Sequence, residues 1–203
     1  MMNQVLTIAV SAAAGYLLGS ISTGLIVAGT SSNVDLRKEG SKSTGATNVL
    51  RVLGKKPAAI TFIGDFLKVF VACAIGSLLA GHEGGMVAGL AGIIGHNWPV
   101  YYQFKGGKGV ASSVAVMLYL FPIPGLIAVA SFFLVLALTK YVSLGSMIML
   151  TLFAAIVIAL NLNSLFVCLW AVIVAGLCIY RHRANIDRLL KGTENKISSK
   201  SKK

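Results

Sequence analysis

Residues 142–160, VSLGSMIMLTLFAAIVIAL, are an uncharged and largely apolar stretch that decides the class of fold. A helix needs about 20 apolar residues to cross the hydrocarbon core of a bilayer, and this stretch is long enough. Hydrophobic residues make up 56% of the chain and charged residues only 12%, whereas soluble globular chains carry about 25% charged residues. So few charges cannot cover a water-facing surface. The sequence therefore predicts an all-α integral membrane protein.

Further apolar stretches extend this prediction to a compact bundle of about seven spans. Val110–Thr139 would measure roughly 45 Å as one helix, so we expect Pro122–Gly125 to divide it. Gly84–Ile94 is predicted to form another short span, in which Gly85 and Gly89 have the spacing that lets helix backbones approach closely. The total is seven, or five if the short pairs are re-entrant, and either odd number puts the termini on opposite sides. The remaining spans are Val5–Ala28, Ala58–Ala80 and Leu165–Tyr180.

The basic residues predict the orientation of this bundle. The chain has 18 Lys and Arg against 6 Asp and Glu, which indicates an anionic partner. In the seven-span arrangement every basic residue except Lys68 falls on one face. The positive-inside rule makes that face cytoplasmic, with the N-terminus outside and the C-terminus inside. Charges spread along a membrane face argue against nucleic acid. We expect one membrane domain, 1–190, and a flexible basic tail, 191–203.

Lys68 lies within the second predicted span, three residues after Asp65 and on the same helix face. Two interpretations stay open. The pair is either a structural ion pair that faces other helices or part of a proton or substrate relay. One isolated pair makes a poor relay, which favours the structural interpretation.

The first polar cluster on the predicted cytoplasmic face is residues 35–51, DLRKEGSKSTGATNVLR. Its glycines allow unusual backbone angles. The side chains of Ser41, Ser43 and Asn48 offer hydrogen-bond donors, and Arg51 offers a bidentate guanidinium. Such a loop suits a phosphate group, although a solvated basic loop is the alternative.

The second polar cluster is residues 95–109, GHNWPVYYQFKGGKG. Gly106 and Gly107 expose backbone N–H groups beside Lys108, and the next helix opens at Gly109 with an N-terminus that favours anions. The pattern is not a Walker A loop, because Tyr102 and Gly109 stand where that motif needs glycine and Ser or Thr. The cluster predicts a phosphate site without supporting ATP.

The third cluster follows the last span at residues 181–191, RHRANIDRLLK. His182 and Asn185 are neighbours on one helix face; a basic surface helix that binds anionic lipid is the alternative. Ser143 and Ser146 stand together at the cytoplasmic start of an earlier helix. They are suited either to capping that helix or to donating hydroxyls to a phosphate.

Together these motifs resemble the bacterial acyl-phosphate:glycerol-3-phosphate acyltransferase family. The matches run in family order across about residues 15–195. Ser22 stands where the family usually has proline, and Ser43 where it often has asparagine. The resemblance implies transfer of a fatty acyl group from acyl phosphate to the sn-1 hydroxyl of glycerol 3-phosphate, giving lysophosphatidic acid and inorganic phosphate as the first step of bacterial phospholipid synthesis. The matching stretches are 19–24, 37–51, 95–99, 104–109, 182–185 and 192–194.

The resemblance also implies the setting and the site residues. It implies a multi-pass protein of the bacterial cytoplasmic (inner) membrane, in contact with membrane lipid, whose cytoplasm-facing site needs no metal or cofactor. It implies substrate-assisted catalysis without a covalent acyl-enzyme, and a soluble enzyme that makes the acyl phosphate. Catalytic residues that bind glycerol 3-phosphate or orient its hydroxyl would be Ser41, Arg51, Lys108, His182 and Asn185. Further substrate-binding residues would be Ser43, Asn48, Gly106, Gly107, Ser143 and Ser146, with the last four at the acyl-phosphate headgroup.

Three alternatives accompany this reading. His182 as a general base is the rival mechanism. A small membrane transporter, or a binder of a phosphorylated metabolite or lipid, is the rival class, and the broken spans and the Asp65–Lys68 pair suit it. An acyl-CoA-dependent acyltransferase has support only from the HxxxxD spacing of His182 and Asp187. On a continuous helix those two side chains point about 140° apart.

Overall fold

The computed structural model describes residues 3–32 and 34–197. Its regular elements within those ranges are helices, which confirms the predicted all-α class. The chain divides into two compact units, Met1–Leu120 and Phe121–Lys203. The first unit contains α1 (Gln4–Gly19), α2 (Thr23–Ser31), α3 (Ala46–Leu53), α4 (Lys55–Asn97), a 3-10 turn (Val100–Tyr102) and α5 (Val110–Leu120). The second unit contains α6 (Pro122–Thr139), α7 (Val142–Leu160), α8 (Leu165–Arg181) and α9 (Arg183–Leu190).

Several of these helices are long and apolar enough to cross a membrane. In the described part of the chain four stretches qualify, and α8 with α9, bent by 59° at their junction, makes a fifth if the pair is one span. Helix α5 is apolar but shorter. The four are Gln4–Ser31, Lys55–Tyr102, Pro122–Thr139 and Val142–Leu160. The seven-span count and the orientation of the termini stay predictions.

Three long apolar stretches are interrupted. Helix α4 has non-helical backbone angles at Ala80 and Gly81, which separates the two segments that the sequence predicts there. The break in Val110–Thr139 comes at Phe121, directly before the prolines rather than across them. Proline lacks the N–H that a first helical turn leaves unused, so Pro122 starts a helix without cost. The predicted span Val5–Ala28 is divided at residues 20–22.

Small residues let α1 approach α4 in the first unit. A Cβ added at Gly15 would overlap the backbone carbonyl of Ala88, and one added at Gly19 would overlap that of Gly92. The two helix backbones therefore touch, as small-xxx-small spacing allows. Gly85 and Gly89 also sit at close contacts, but with side chains: added Cβ atoms would meet Oγ of Ser77 and Sγ of Cys73.

The C-terminal segment of the second unit folds back onto the connection between α6 and α7. Gly192 has φ +69°, a left-handed conformation that suits glycine, and it turns the chain back after α9. The N–H of Ile197 then donates to the carbonyl of Lys140 at 2.8 Å. Part of the tail predicted to be flexible, residues 198–203, lies outside the described residues.

Candidate active site

The loop before α3 is built around the side chain of Asn48. This amide is buried, with 1% of its surface exposed. Its Oδ1 accepts from the Ser41 N–H at 2.7 Å. Its Nδ2 donates to three backbone carbonyls, at 2.8 Å to Ser43, 3.0 Å to Glu39 and 3.2 Å to Leu36. Asn48 therefore holds the loop that carries Ser41 and Ser43.

Charge in the same loop is distributed unevenly. Arg37 binds Asp35 with two side-chain hydrogen bonds, Nε to Oδ1 at 2.9 Å and Nη2 to Oδ2 at 3.1 Å. These bonds hold the pKa of the Asp35 carboxyl below its usual value. Arg37 therefore neutralises Asp35. Arg51 lies in the last turn of α3, one turn after Asn48, with its side chain exposed.

The glycine-rich turn of residues 105–109 folds over His96. The Gly107 N–H donates to the carbonyl of His96 at 3.0 Å. A Cβ at Gly106 would overlap that carbonyl oxygen, and a Cβ at Gly107 would overlap Nε2 of the imidazole. Lys108 follows, half-buried, and α5 begins two residues later at Val110. The Gly107 N–H, which the sequence predicts to be exposed for a phosphate, is instead used by the His96 carbonyl. The turn places Lys108 at the start of a helix, an arrangement that suits an anion.

A buried ionic network lies behind this turn. Lys68 Nζ donates to Asp65 Oδ1 at 2.8 Å and lies 3.1 Å from His96 Nδ1. It also donates to the carbonyl of Ile21, at 2.5 Å. The side chains of Asp65, Lys68 and His96 are 1%, 7% and 5% exposed. The ion pair considered from the sequence is formed, and the sequence analysis did not anticipate its third member, His96.

In the second unit, Glu194 gathers the polar groups of α7 and α9. Its Oε1 accepts from Ser143 Oγ at 2.9 Å and from Asn185 Nδ2 at 2.6 Å. Its Oε2 accepts from Arg188 Nε at 2.7 Å. Burial raises the pKa of Glu194, whereas the hydrogen bonds from Asn185, Arg188 and Ser143 lower it. The lowering effect is the larger one, so the pKa lies below its usual value.

His182 and Ser146 are held by helix backbone. His182 is 2% exposed, and its Nδ1 lies 2.8 Å from the carbonyl of Cys178. A carbonyl only accepts hydrogen bonds, so Nδ1 carries the proton and, in the neutral ring, Nε2 carries the lone pair. Ser146 is buried, and its hydroxyl donates to the carbonyl of Val142 at 2.9 Å.

Each unit thus brings together part of the predicted set. In the first, Asn48 joins Ser41 and Ser43, and Gly106, Gly107 and Lys108 share one turn. In the second, Ser143 and Asn185 meet at Glu194. Asp187 instead pairs with Lys191 at 2.9 Å on the surface, which weakens the HxxxxD interpretation. Among residues 3–32 and 34–197 no group of three or more His, Cys, Asp or Glu side chains could hold a metal ion.

Sequence reasoning missed His96 and Glu194 as organising residues. Both carried a signal, since His96 is one of 3 histidines and Glu194 one of 6 acidic residues in a chain of 203. Each also lies inside a stretch that matches the family pattern. A rare ionisable residue next to candidate binding groups was the available clue.

Comparison with known proteins places these features in one family. The family model described as "Glycerol-3-phosphate acyltransferase" matches residues 9–192. The glycerol-3-phosphate acyltransferase of Thermoanaerobacter sp. (strain X514) is 47% identical over 186 residues, covering 92% of this chain and 93% of the relative. That of Clostridioides difficile (strain 630) is 43% identical over 213 residues, covering 97% and 98%.

Solved structures agree with the sequence relatives. The crystal structure of PlsY (YgiH), an integral membrane glycerol 3-phosphate acyltransferase, in its glycerol 3-phosphate form is 35% identical with a TM-score of 0.87, covering 97% of this chain and 96% of that one. Its lysophosphatidic acid form gives a TM-score of 0.86 at 35% identity, covering 95% and 96%. With the apolar helices described above, this supports a multi-pass membrane protein. The chain belongs to the glycerol-3-phosphate acyltransferase family.

Proposed function

We propose that this chain transfers a fatty acyl group from acyl phosphate to the sn-1 hydroxyl of glycerol 3-phosphate, giving lysophosphatidic acid and inorganic phosphate. Membership of the family supports glycerol-3-phosphate acyltransferase activity. The observation that carries the proposal furthest is the glycine-rich turn, where Lys108 lies just before the N-terminus of α5. We also propose seven spans in a bacterial inner membrane, with the N-terminus outside and the site facing the cytoplasm.

The first unit supplies cations and backbone amides for phosphate. Arg51 is proposed to bind the phosphate of glycerol 3-phosphate with Ser41 and Lys108, because an exposed guanidinium and an ammonium suit a dianion. The Gly106–Gly107 backbone is proposed to lie against the acyl-phosphate headgroup, with the Gly107 N–H held by the carbonyl of His96. Asn48 serves this site by fixing the loop, since its amide is occupied by backbone groups at Leu36, Glu39, Ser41 and Ser43. Ser43, in that same loop, is proposed to bind substrate.

The second unit supplies hydroxyl, amide and imidazole groups. Ser143 and Ser146, near the start of α7, are proposed to bind the acyl-phosphate headgroup. In the structure their hydroxyls donate to Glu194 and to the carbonyl of Val142, so binding requires each hydroxyl to change its acceptor. Asn185 and His182 are proposed to orient the glycerol 3-phosphate hydroxyl, and the lone pair on Nε2 of neutral His182 suits accepting a hydrogen bond from it. Glu194 holds both Ser143 and Asn185, so it sets the positions of two proposed binding groups at once.

The reaction proposed here needs no protein nucleophile. The sn-1 hydroxyl oxygen forms a bond to the acyl carbonyl carbon, and the bond between that carbon and the bridging phosphate oxygen breaks. The hydroxyl proton passes to a phosphate oxygen of the donor, which leaves as inorganic phosphate. The protein then contributes positioning and charge stabilisation. A His182→Gln variant that keeps near-normal turnover would support this route, whereas loss of turnover with unchanged substrate binding would support His182 as the base.

One assay tests the donor. Purified protein in detergent or lipid receives glycerol 3-phosphate with either palmitoyl phosphate or palmitoyl-CoA, and lysophosphatidic acid and released phosphate are measured. Product from palmitoyl phosphate alone supports the proposal, and product from palmitoyl-CoA alone contradicts it. The proposal also expects a separate soluble enzyme to supply the acyl phosphate.

A transporter or binder of a phosphorylated metabolite is the second candidate, because a buried ion pair lies inside the long apolar helix α4. Proteoliposomes that take up labelled glycerol 3-phosphate, but make no lysophosphatidic acid with either donor, would favour it.

A further inference from the structure

We propose that Asp65, Lys68 and His96 form a positioning network that sets the shape of the Gly106–Gly107 turn for the acyl-phosphate headgroup. The inference rests on the function proposed above and adds three residues to it. These residues are not proposed to touch substrate. They act through the backbone of the turn.

The side chains of Asp65, Lys68 and His96 lie close together. Lys68 Nζ lies 2.8 Å from Asp65 Oδ1 and 3.1 Å from His96 Nδ1, and His96 Nδ1 lies 3.5 Å from the same carboxylate oxygen. All three side chains are more than nine-tenths buried. Buried charges keep a fixed geometry only when they are paired and hydrogen-bonded. The contacts therefore fix the plane of the His96 ring.

The imidazole ring of His96 lies against the turn at Gly107. Nε2, on the opposite side of the imidazole from Lys68, lies where a Cβ of Gly107 would be. The backbone carbonyl of His96 accepts the Gly107 N–H at 3.0 Å. A tilt or shift of the ring would therefore push on the Gly107 backbone. Packed interiors transmit such shifts. The network therefore controls the position of the backbone at Gly106 and Gly107.

Lys68 also contacts the break between α1 and α2. The carbonyl of Ile21 lies in that break, and Lys68 Nζ donates to it. Ser112 in α5 donates to the backbone carbonyl of Asp65 at 3.3 Å. The network thus joins the first span, α4, the turn and the helix that follows the turn. This placement indicates a device that orients the turn, since an ion pair that only stabilised α4 would not need contacts to these elements.

The experiment removes the network without leaving a lone buried charge. The double variant Asp65→Asn with Lys68→Met loses both charges together, and so avoids the strong destabilisation that follows when one partner of a buried pair is left charged. Its matched control is Asp187→Asn with Lys191→Met, which makes the same changes in an exposed pair whose side chains are 60% and 67% exposed. Thermal unfolding, steady-state kinetics and limited trypsin cleavage at Lys105 and Lys108 are measured for both.

The expected result is a selective effect on one substrate. The buried double variant should raise KM for palmitoyl phosphate by about tenfold. KM for glycerol 3-phosphate should rise by less, because Lys108 is the one residue proposed for that substrate that lies in the turn. Trypsin should cleave the turn faster, and the control should match the unmodified protein. A folded variant with unchanged KM for palmitoyl phosphate and unchanged cleavage would overturn the inference. So would equal changes in both KM values, which a merely structural role would give.

A second pair of variants keeps the Asp65–Lys68 pair intact. His96→Phe retains a ring beneath Gly107 but loses the acceptor for Lys68, whereas His96→Asn retains a polar group near the position of Nδ1. We expect His96→Phe to reproduce the rise in KM for palmitoyl phosphate and His96→Asn to restore part of it. Equal kinetics for the two variants would overturn the inference. If the unmodified protein makes no product from palmitoyl phosphate, the proposed function fails, and faster trypsin cleavage still reports on the network.

Discussion

Gly107 lies directly against the imidazole ring of His96, so that a methyl group at position 107 would overlap Nε2. The same glycine donates its N–H to the carbonyl of His96 at 3.0 Å. Ring and turn therefore fit each other only when residue 107 has no side chain. Glycine is needed here for close approach, and Gly109, with φ +78°, is the residue whose backbone angle also requires it.

The first prediction concerns Gly107→Ala. The added methyl group must displace either the turn or the ring, because the two cannot occupy the same space. We expect KM for palmitoyl phosphate to rise by about tenfold or more, because the methyl group displaces the backbone of residues 106 and 107. Steady-state kinetics with palmitoyl phosphate as the varied substrate measure this.

Gly176→Ala is the control for that substitution. Gly176 lies in α8, and a Cβ there would have no neighbour within 4 Å. Alanine also has the higher helix propensity, by about 1 kcal/mol in a helix interior. Gly176→Ala should therefore leave KM unchanged, and its thermal stability should stay equal or rise. If Gly107→Ala behaved like Gly176→Ala, the contact between residue 107 and His96 would be wrong.

The second prediction concerns Glu194→Gln. The carboxylate accepts hydrogen bonds from three side chains, and glutamine would present an NH₂ group to at least one of these donors. Hydrogen bonds to charged groups contribute roughly 1.5–3 kcal/mol, so the free energy of unfolding should fall by about 2 kcal/mol. Turnover should fall as well, because Ser143 and Asn185 lose their common anchor. Thermal unfolding with Asp187→Asn as an exposed control measures the first effect.

The third prediction follows from the pKa of Glu194, which lies below the reference value of 4.5. The folded protein therefore binds this proton less readily than the unfolded chain. The stabilisation is fully present above the unfolded pKa, and it is lost as the pH falls through the folded pKa. The difference in melting temperature between the unmodified protein and Glu194→Gln should therefore stay nearly constant from pH 7 to about pH 5.5 and shrink as the pH falls below 4.5. A difference that stayed constant below pH 4.5 would contradict the assignment.

The sequence predicted the class of fold because composition alone decides it. Few charges and long apolar stretches require helices that satisfy their own backbone groups. The clusters around Asn48, Lys108 and His182 were also visible, since each places polar groups next to an apolar stretch. The break at residues 20–22 was not predicted, although Ser20, Ser22 and Thr23 stand there, because the apolar residues on both sides keep the mean hydropathy of residues 5–28 high.

Contacts between distant segments could not be read in the same way. Glu194 reaches Ser143 because Gly192 turns the chain back, and the two residues are 51 positions apart. His96 reaches Gly107 through a turn in which Gln103 and Phe104 have φ of +56° and +59°. Glutamine and phenylalanine are not typical of left-handed conformations, so the sequence does not predict how the chain turns at these two residues. Local pattern identified the binding groups, and tertiary packing determined what supports them.

The last prediction concerns Asn48→Asp. The substitution keeps the acceptor for the Ser41 N–H but replaces Nδ2 with an oxygen that faces the carbonyls of Leu36, Glu39 and Ser43. An unpaired buried polar group costs about 1–3 kcal/mol, and more if it is charged. The loop should therefore detach from α3. Trypsin should then cleave faster after Arg37, Lys38 and Lys42, because a loosened backbone enters the protease more readily. KM for glycerol 3-phosphate should rise by about tenfold if this loop carries Ser41 into the site.

Asn163→Asp, at an exposed position in the loop before α8, is the matched control and should change neither result. Unchanged cleavage of Asn48→Asp between residues 37 and 42 would show that the amide does not hold the loop, and faster cleavage with an unchanged KM would remove this loop from the glycerol 3-phosphate site.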